Sequence, residues 1–439
     1  MNEIFRKILA SRVYEAAIET PLQFAPRLSE KLNNEIYLKR EDLQPVFSFK
    51  IRGAYQKISS LTEAERNRGV ICASAGNHAQ GVALSAKKLS INATVVMPAT
   101  TPEIKVRAVK SYGANVILTG DSYTDAYDHA VQLMARSGAV FIHPFDDDEV
   151  IAGQGTIGHE ILRQLSNFDV VFVPVGGGGL IAGIGLFLKQ VLPKVKIIGV
   201  QPTDSDAMHQ SIDAGKKIRL DQVGIFADGV AVKEVSDRTL AIARQFTDEI
   251  ITVTTDEIAS AIKAIYQDTR SIVEPAGALA MAGIYRYVRG NGDTKNRSIQ
   301  NQRLIAINSG ANMNFDQLRF VAERTMTGER REALYAVTIP ERPGTLKQFC
   351  HDFVEDRSIT EFNYRLMPGE KAHIFVGITI RSKDEADQFQ SKLVQAEFAC
   401  INLTDNELAK THIRHMVGGR RPKGPRELLF RFEFPERPG

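Results

Sequence analysis

Four short segments carry residues whose types and spacing could do chemistry. In PVFSFKIRGA, Lys50 is flanked by Phe47 and Phe49 and precedes a helical pattern. Its amine is either a surface charge on a buried stem or a partly desolvated nucleophile able to form a Schiff base. SAGNHAQG, residues 74–81, joins a strand to a helix. Its backbone amides, with Asn77 and His78 as side-chain donors, suit a carboxylate at a helix N-terminus, and the same residues also make an ordinary capped turn. VGGGGLIAG, residues 175–183, sets four consecutive glycines before an apolar helix. Glycine lets backbone approach a ligand closely, and a phosphate on the helix N-terminus is the natural occupant. NSGANMNF places Ser309 after a strand, to hydrogen-bond a ring nitrogen or to cap the next helix.

Two competing phosphate readings of the glycine segment fail. No G-K-[ST] follows, so it is not a Walker loop. Gly177, Gly179 and Ala182 fit the dinucleotide spacing G-x-G-x-x-A, yet the next strand ends on Gln201 where that fold needs an acid for the ribose.

These segments need strands and helices to hold them. GVICAS (69–74), ATVVMP (93–98), ANVILTG (114–120), AVFIHPF (139–145), DVVFVPVG (169–176), KIIGVQP (196–202) and RLIAINSG (303–310) are short β-branched runs too apolar for half-exposed strands. They fit a buried parallel sheet. Helical patterns such as AQGVALSAKKL lie between them, so the expected class is α/β with helices on both faces. Ligands in such sheets sit at the carboxyl ends of strands, where SAGN, VGGGG and NSGAN fall.

Bulk composition narrows the field. Fifty-five basic residues against 52 acidic give a net charge of +3, too balanced to call for a nucleic-acid or membrane partner. Cys72, Cys350 and Cys400 form no C-x-x-C, which argues against a disulfide framework or a zinc site and fits a reducing compartment. No apolar run reaches the ~18 residues of a membrane span. The N-terminal segment has no signal-peptide core and carries Glu3, Glu15 and Glu19, so a cytoplasmic location is expected.

Taken together and in order, LKREDLQPVFSFKIRGA, SAGNHAQGVA, VPVGGGGL and SGAN resemble the fold-type-II pyridoxal-phosphate enzymes, and among them the threonine dehydratases. The resemblance implies that Lys50 carries pyridoxal 5'-phosphate and that Asn77 contacts its 3'-hydroxyl. It further implies that Gly176, Gly177, Gly178, Gly179 and Leu180 hold the phosphate and that Ser309 faces the pyridine nitrogen. Ser74, Gly76, Asn77 and His78 would hold the substrate carboxylate. A serine at the ring nitrogen makes a weaker electron sink than an acid, which favours prompt loss of a β-substituent over transamination. Serine racemases read S-S-G-N-H, whereas here the second position is Ala75, so racemisation should be poor. The expected reaction is dehydration and deamination of L-threonine to 2-oxobutanoate and ammonia, the committed step of isoleucine biosynthesis. The alternatives are a broader serine/threonine dehydratase and an inactive amino-acid-binding regulator.

After about residue 320 the pattern changes to strand, helix, strand, strand, helix, strand, a ferredoxin-like order. The segment TIPERPG recurs as EFPERPG at the end of the chain. Biosynthetic threonine dehydratases carry two ACT-like modules, each opening on such a turn. The expected organisation is a catalytic domain at 1–322, a connector at 323–332, a regulatory module at 333–404, a linker at 405–425, and the start of a second module at 426–439. On this reading the natural chain continues ~70 residues beyond Gly439, taking the first module as the ruler. The resemblance also implies a homotetramer, inhibition by isoleucine and antagonism by valine.

Overall fold

The computed structural model describes residues 2–290, 299–314, 317–328, 332–366, 371–380, 382–404, 406 and 419–420. The chain divides into two units, one reaching to Leu318 and the other beginning at Arg319.

The first unit holds two sheets. The larger has six strands in the order β1-β2-β10-β7-β8-β9. These are β1 (Leu22–Phe24), β2 (Glu35–Arg40), β7 (Val170–Pro174), β8 (Lys196–Pro202), β9 (Glu249–Val253) and β10 (Arg303–Asn308). All neighbours run parallel except the β1/β2 pair. The smaller sheet is parallel and four-stranded, in the order β5-β4-β3-β6, from β3 (Val70–Ala73), β4 (Ala93–Met97), β5 (Asn115–Leu118) and β6 (Val140–Phe141). The buried parallel strands expected from the sequence thus form two sheets, each with its own core. Ile181, Ile184, Phe187, Ile197 and Ile305 belong to the core of the larger sheet. Val82, Val95, Met97 and Val109 belong to that of the smaller one.

Strands β7 and β3 are buried at every position, which is why they read as continuous apolar runs. Strand β2, EIYLKR, did not read as a strand, because Lys39 and Arg40 are buried charges. Each is neutralised in place: Lys39 by Glu160 at 2.5 Å and Arg40 by Asp42 at 2.7 Å.

The second unit follows the expected order. Strands β11 (Glu332–Pro340), β12 (Ile359–Leu366), β13 (Lys371–Thr379) and β14 (Ala399–Asn402) lie in the order β14-β11-β13-β12, all antiparallel. Two helical segments cover one face: Thr345–Phe349, continued through Cys350–Val354, and Lys383–Gln395. Tyr335, Val337, Phe349, Ile374, Val376 and Phe389 fill the core. A two-residue strand, Gly419–Arg420, pairs with β12. The rest of the expected linker and the start of the second module, 426–439, lie outside the described residues. The helix Gln317–Gly328 runs through the expected boundary at 322/323.

Candidate active site

Lys50 is the first residue of the helix Lys50–Ser59. A buried ion network anchors that helix. The Arg52 guanidinium donates to both oxygens of Glu41, at 2.7 Å each, and to both oxygens of Glu160, at 2.5 and 3.0 Å. Lys39 also reaches Glu160, and all four side chains are inaccessible to solvent. Two cations and two carboxylates, fully paired, give the helix one seat.

Two other helices point their N-termini into the same cleft. Asn77–Lys88 follows β3, and Gly179–Val191 follows β7. Among the described residues, no acceptor meets the amides of Asn77, His78 and Ala79, or those of Gly176 to Ile181. The cleft has a volume of about 1380 Å³ and is lined by Lys50, Ser74, Gly76, Asn77, His78, Gly176, Gly177, Gly178, Leu180 and Ser309. Ten of the eleven expected site residues therefore meet in one place. Gly179 is the exception: it lies beneath Phe145, whose backbone would be 3.1 Å from a Cβ there.

The side chains do not all do what their types promised. His78 is buried, and its Nε2 is 2.8 Å from the carbonyl of Ile142. Its imidazole is thus a strut, and what it offers an anion is its backbone amide. Burial, with the Lys50 charge adding, pushes its pKa down to about 3. Asn77 is engaged twice, accepting from Asn312 Nδ2 at 2.6 Å and donating from Nδ2 to Glu274 at 2.6 Å, which leaves one N–H. Ser309 Oγ is 3.3 Å from the carbonyl of Ala276, a long contact that gives its proton an alternative acceptor. Lys50 Nζ is 3.2 Å from the carbonyl of Pro144. Burial lowers its pKa to about 8, with the Glu274 carboxylate acting in the opposite direction, so a usable fraction of the amine is neutral at physiological pH.

Two titratable groups close to Lys50 and Asn77 are among the cleft residues that the sequence reading did not name. Glu274 is one. The other is His143, whose Nδ1 accepts from the amides of Asp146 at 2.8 Å and Phe145 at 3.3 Å. Burial pushes its pKa down to about 4, so the ring is neutral with its proton on Nε2. The only sequence signal was its place in HPFDDD, three residues before an Asp at the end of a strand.

The donor set fits pyridoxal phosphate. A fan of amides on a helix N-terminus suits the phosphate dianion, and a lysine of lowered pKa suits the aldehyde. Gly177 keeps the cradle open, since a Cβ there would lie 2.3 Å from the Phe145 ring. Gly177→Ala should therefore weaken cofactor binding by at least about tenfold while leaving the fold intact, read by titrating the apo-protein. Gly178 has φ +93°, which only glycine adopts without strain.

The sequence signature of the pyridoxal-phosphate dependent enzymes matches residues 13–299, and that of the C-terminal regulatory domain of threonine dehydratase matches residues 323–413. The biosynthetic L-threonine dehydratase of Burkholderia multivorans is 52% identical over 442 residues, spanning 100% of this chain and 86% of that protein. The chain belongs to the threonine dehydratase family. A biosynthetic, chloroplastic threonine dehydratase of Arabidopsis thaliana is 49% identical, over 100% of this chain and 73% of its own. Among solved structures, the processed threonine deaminase isoform 2 of Solanum lycopersicum matches with TM-score 0.69 and 47% identity, over 74% of this chain and 93% of its own. Maize serine racemase matches with TM-score 0.68 at 31% identity, over 74% and 97%. The catalytic fold is thus shared with racemases, and the regulatory domain is what marks this chain as a biosynthetic threonine dehydratase. No helix among the described residues is long and apolar enough to cross a membrane.

Within this threonine dehydratase, three buried groups of the cleft make the stability of the cofactor-free protein depend on pH between about 6.5 and 4.5. His78 and His143, held neutral, bind fewer protons folded than unfolded, so the stability they contribute is present above about pH 6.5 and is lost as pH falls. Glu274 acts oppositely. Burial, with Asp228 adding, raises its pKa from 4.5 to about 7, so its ionised form is disfavoured above pH 7 and that penalty disappears on acidification. Between about pH 6.5 and 4.5 two losses meet one gain. Stability should fall by roughly 1.4 kcal/mol per pH unit in this window, measurable by denaturant unfolding across it.

Proposed function

We propose that this chain converts L-threonine to 2-oxobutanoate and ammonia at the cleft described, with Lys50 as the catalytic base. The observation that carries the reading is the convergence of Lys50 with two helix N-termini in one cleft. One N-terminus, at Gly176 to Leu180, holds the phosphate of the cofactor. The other, at Ser74, Gly76, Asn77 and His78, holds the substrate carboxylate. Pyridoxal phosphate, when bound, supplies a carbonyl that condenses with amines and a π-system that accepts the electron pair of the broken Cα–H bond.

The residues of the chain do the rest. Lys50 Nζ, whose neutral form burial makes accessible, takes the α-proton. The carboxylate clamp fixes which Cα substituent faces that amine. The β-hydroxyl leaves as water with the proton that Lys50 took from Cα, and hydrolysis of the released enamine gives the 2-oxo acid and ammonia. Ala75, which lines the cleft, offers no proton to the opposite face, so elimination outruns racemisation. Asn77 and Ser309 contact the ring's oxygen and nitrogen.

The test is 2-oxo acid release by the holoenzyme from threonine and from serine, with D-serine measured alongside. Threonine turnover with little D-serine is expected. Substantial D-serine would overturn the reading. Ser309→Asp should slow elimination and raise side transamination, and an unchanged rate would remove Ser309 from the chemistry.

The regulatory unit fits control by a branched-chain amino acid. Isoleucine as inhibitor, valine as antagonist, a homotetrameric assembly and a cytoplasmic location complete this reading. Addition of isoleucine should make threonine kinetics sigmoidal, with a coupling of ~1–3 kcal/mol between the sites.

A further inference from the structure

The structure assigns Glu274 a positioning role: its buried carboxylate sets the Asn77 amide with an N–H turned towards the oxygen of the cofactor ring. The assignment rests on the reading that Asn77 faces that ring oxygen.

The hydrogen-bond chain has only one direction. Val46 offers a carbonyl, which can only accept, and it takes an N–H from Asn312 Nδ2 at 2.8 Å. Asn312 Nδ2 therefore spends its second N–H on Asn77 Oδ1 at 2.6 Å. With its oxygen thus occupied, Asn77 must turn Nδ2 to Glu274 Oε1, at 2.6 Å. Reverse any one amide and two donors or two acceptors collide. The Val46 carbonyl fixes the direction at one end, and the Glu274 oxygen accepts at the other. One N–H on Asn77 Nδ2 stays free for a ligand.

Glu274 cannot turn away. It is 4% exposed, and its own amide donates to the carbonyl of Gly310 at 3.1 Å. A Cβ on Gly310 would sit 2.4 Å from Glu274 Oε1, so the loop after Ser309 admits the carboxylate only because that residue is glycine. The helix Pro275–Arg289 begins at the next residue and fixes the backbone.

The charged groups around it come from three other elements. Lys50 lies on its own helix, and Asp228 on the short helix Asp228–Val230. Lys105, on the helix Glu103–Ser111 beside the smaller sheet, pairs with Asp228 at 2.9 Å. Burial and Asp228 favour the protonated carboxyl, while Asn77 and Lys105 favour the carboxylate. The group is balanced between its two states near neutral pH, beside the amine that moves the α-proton.

Two variants separate position from charge. Glu274→Gln keeps an oxygen that accepts from Asn77, whereas Glu274→Ala removes it. We expect Glu274→Ala to weaken cofactor binding to the apo-protein about tenfold or more, and Glu274→Gln to stay within about threefold. In the holoenzyme, Glu274→Gln should lower the midpoint of the pH titration of the visible absorbance, because a negative charge near Lys50 is lost. In the apo-protein, the same change should roughly double the acid slope of stability, since two histidines then act without an opposing carboxyl. Glu274→Ala binding as tightly as the parent, or Glu274→Gln leaving both the titration and the acid slope unchanged, would overturn the assignment. Asn77→Ala is the control: if it too binds cofactor like the parent, the role given to Asn77 is what fails.

Discussion

Lys50→Ala should lose essentially all threonine turnover, and borohydride should no longer fix the cofactor to the chain. The base alone is worth roughly 10²–10⁴-fold, and the covalent anchor is removed with it. The phosphate cradle at Gly176 to Leu180 does not depend on the lysine, so the variant should still bind cofactor by that end. The measurement is peptide mapping after reduction in the parent, combined with single-turnover assays of the variant. A reduced, labelled peptide without Lys50 in the parent would overturn the whole site.

Arg52→Met should be the most destabilising substitution near the site, by ~3–5 kcal/mol, because it leaves Glu41 and Glu160 as buried carboxylates with too few partners. Arg52→Lys should recover only part of this loss. Lysine is a point charge and cannot reach both carboxylates as the planar fork does. Thermal unfolding of the cofactor-free protein checks both, with the expected order parent, Lys, Met. Activity should fall faster than stability below the melting range, because Arg52 lies in the first turn of the Lys50 helix and its loss frees that helix to shift. A Met variant melting with the parent would mean that the network contributes nothing to the seat of the helix.

Much of this was legible in the sequence, for identifiable reasons. Strands buried on both faces, such as VVFVP, must be apolar throughout, so burial is written in them directly. The strand EIYLKR was illegible because what makes it buriable lies elsewhere: Glu160, far along the chain, neutralises Lys39. Strand β9, EIITV, also went unread. The division into two sheets was equally hidden, since each strand looks the same whichever sheet it joins. In the site, Lys50, the glycines and Ser309 could be named because their local wording is distinctive. Glu274 could not: a glutamate before a proline reads as the residue preceding a helix, which it also is. Its second role depends on Asn77 arriving from the other sheet. His78 had the converse fate. Its type promised a donor to substrate, and its neighbour Ile142 had already taken it.

The strand order of the larger sheet has a consequence for how the protein is made. Strands β1 and β2 leave the ribosome early, yet the neighbour β2 needs is β10, which begins only at Arg303. At translation speeds of about 5–20 residues per second, the N-terminal hairpin waits roughly ten seconds to a minute for its partner. During that time Lys39 and Glu41 have no buried seat, and the apolar run of β7 has an open edge where β10 will dock. The smaller sheet, drawn from residues 70–141, has every strand it needs much sooner. A nascent chain halted before Arg303 should therefore protect β3 and β4 from proteolysis while β2 is still cut, and should rely on a chaperone to keep β7 from pairing with another chain.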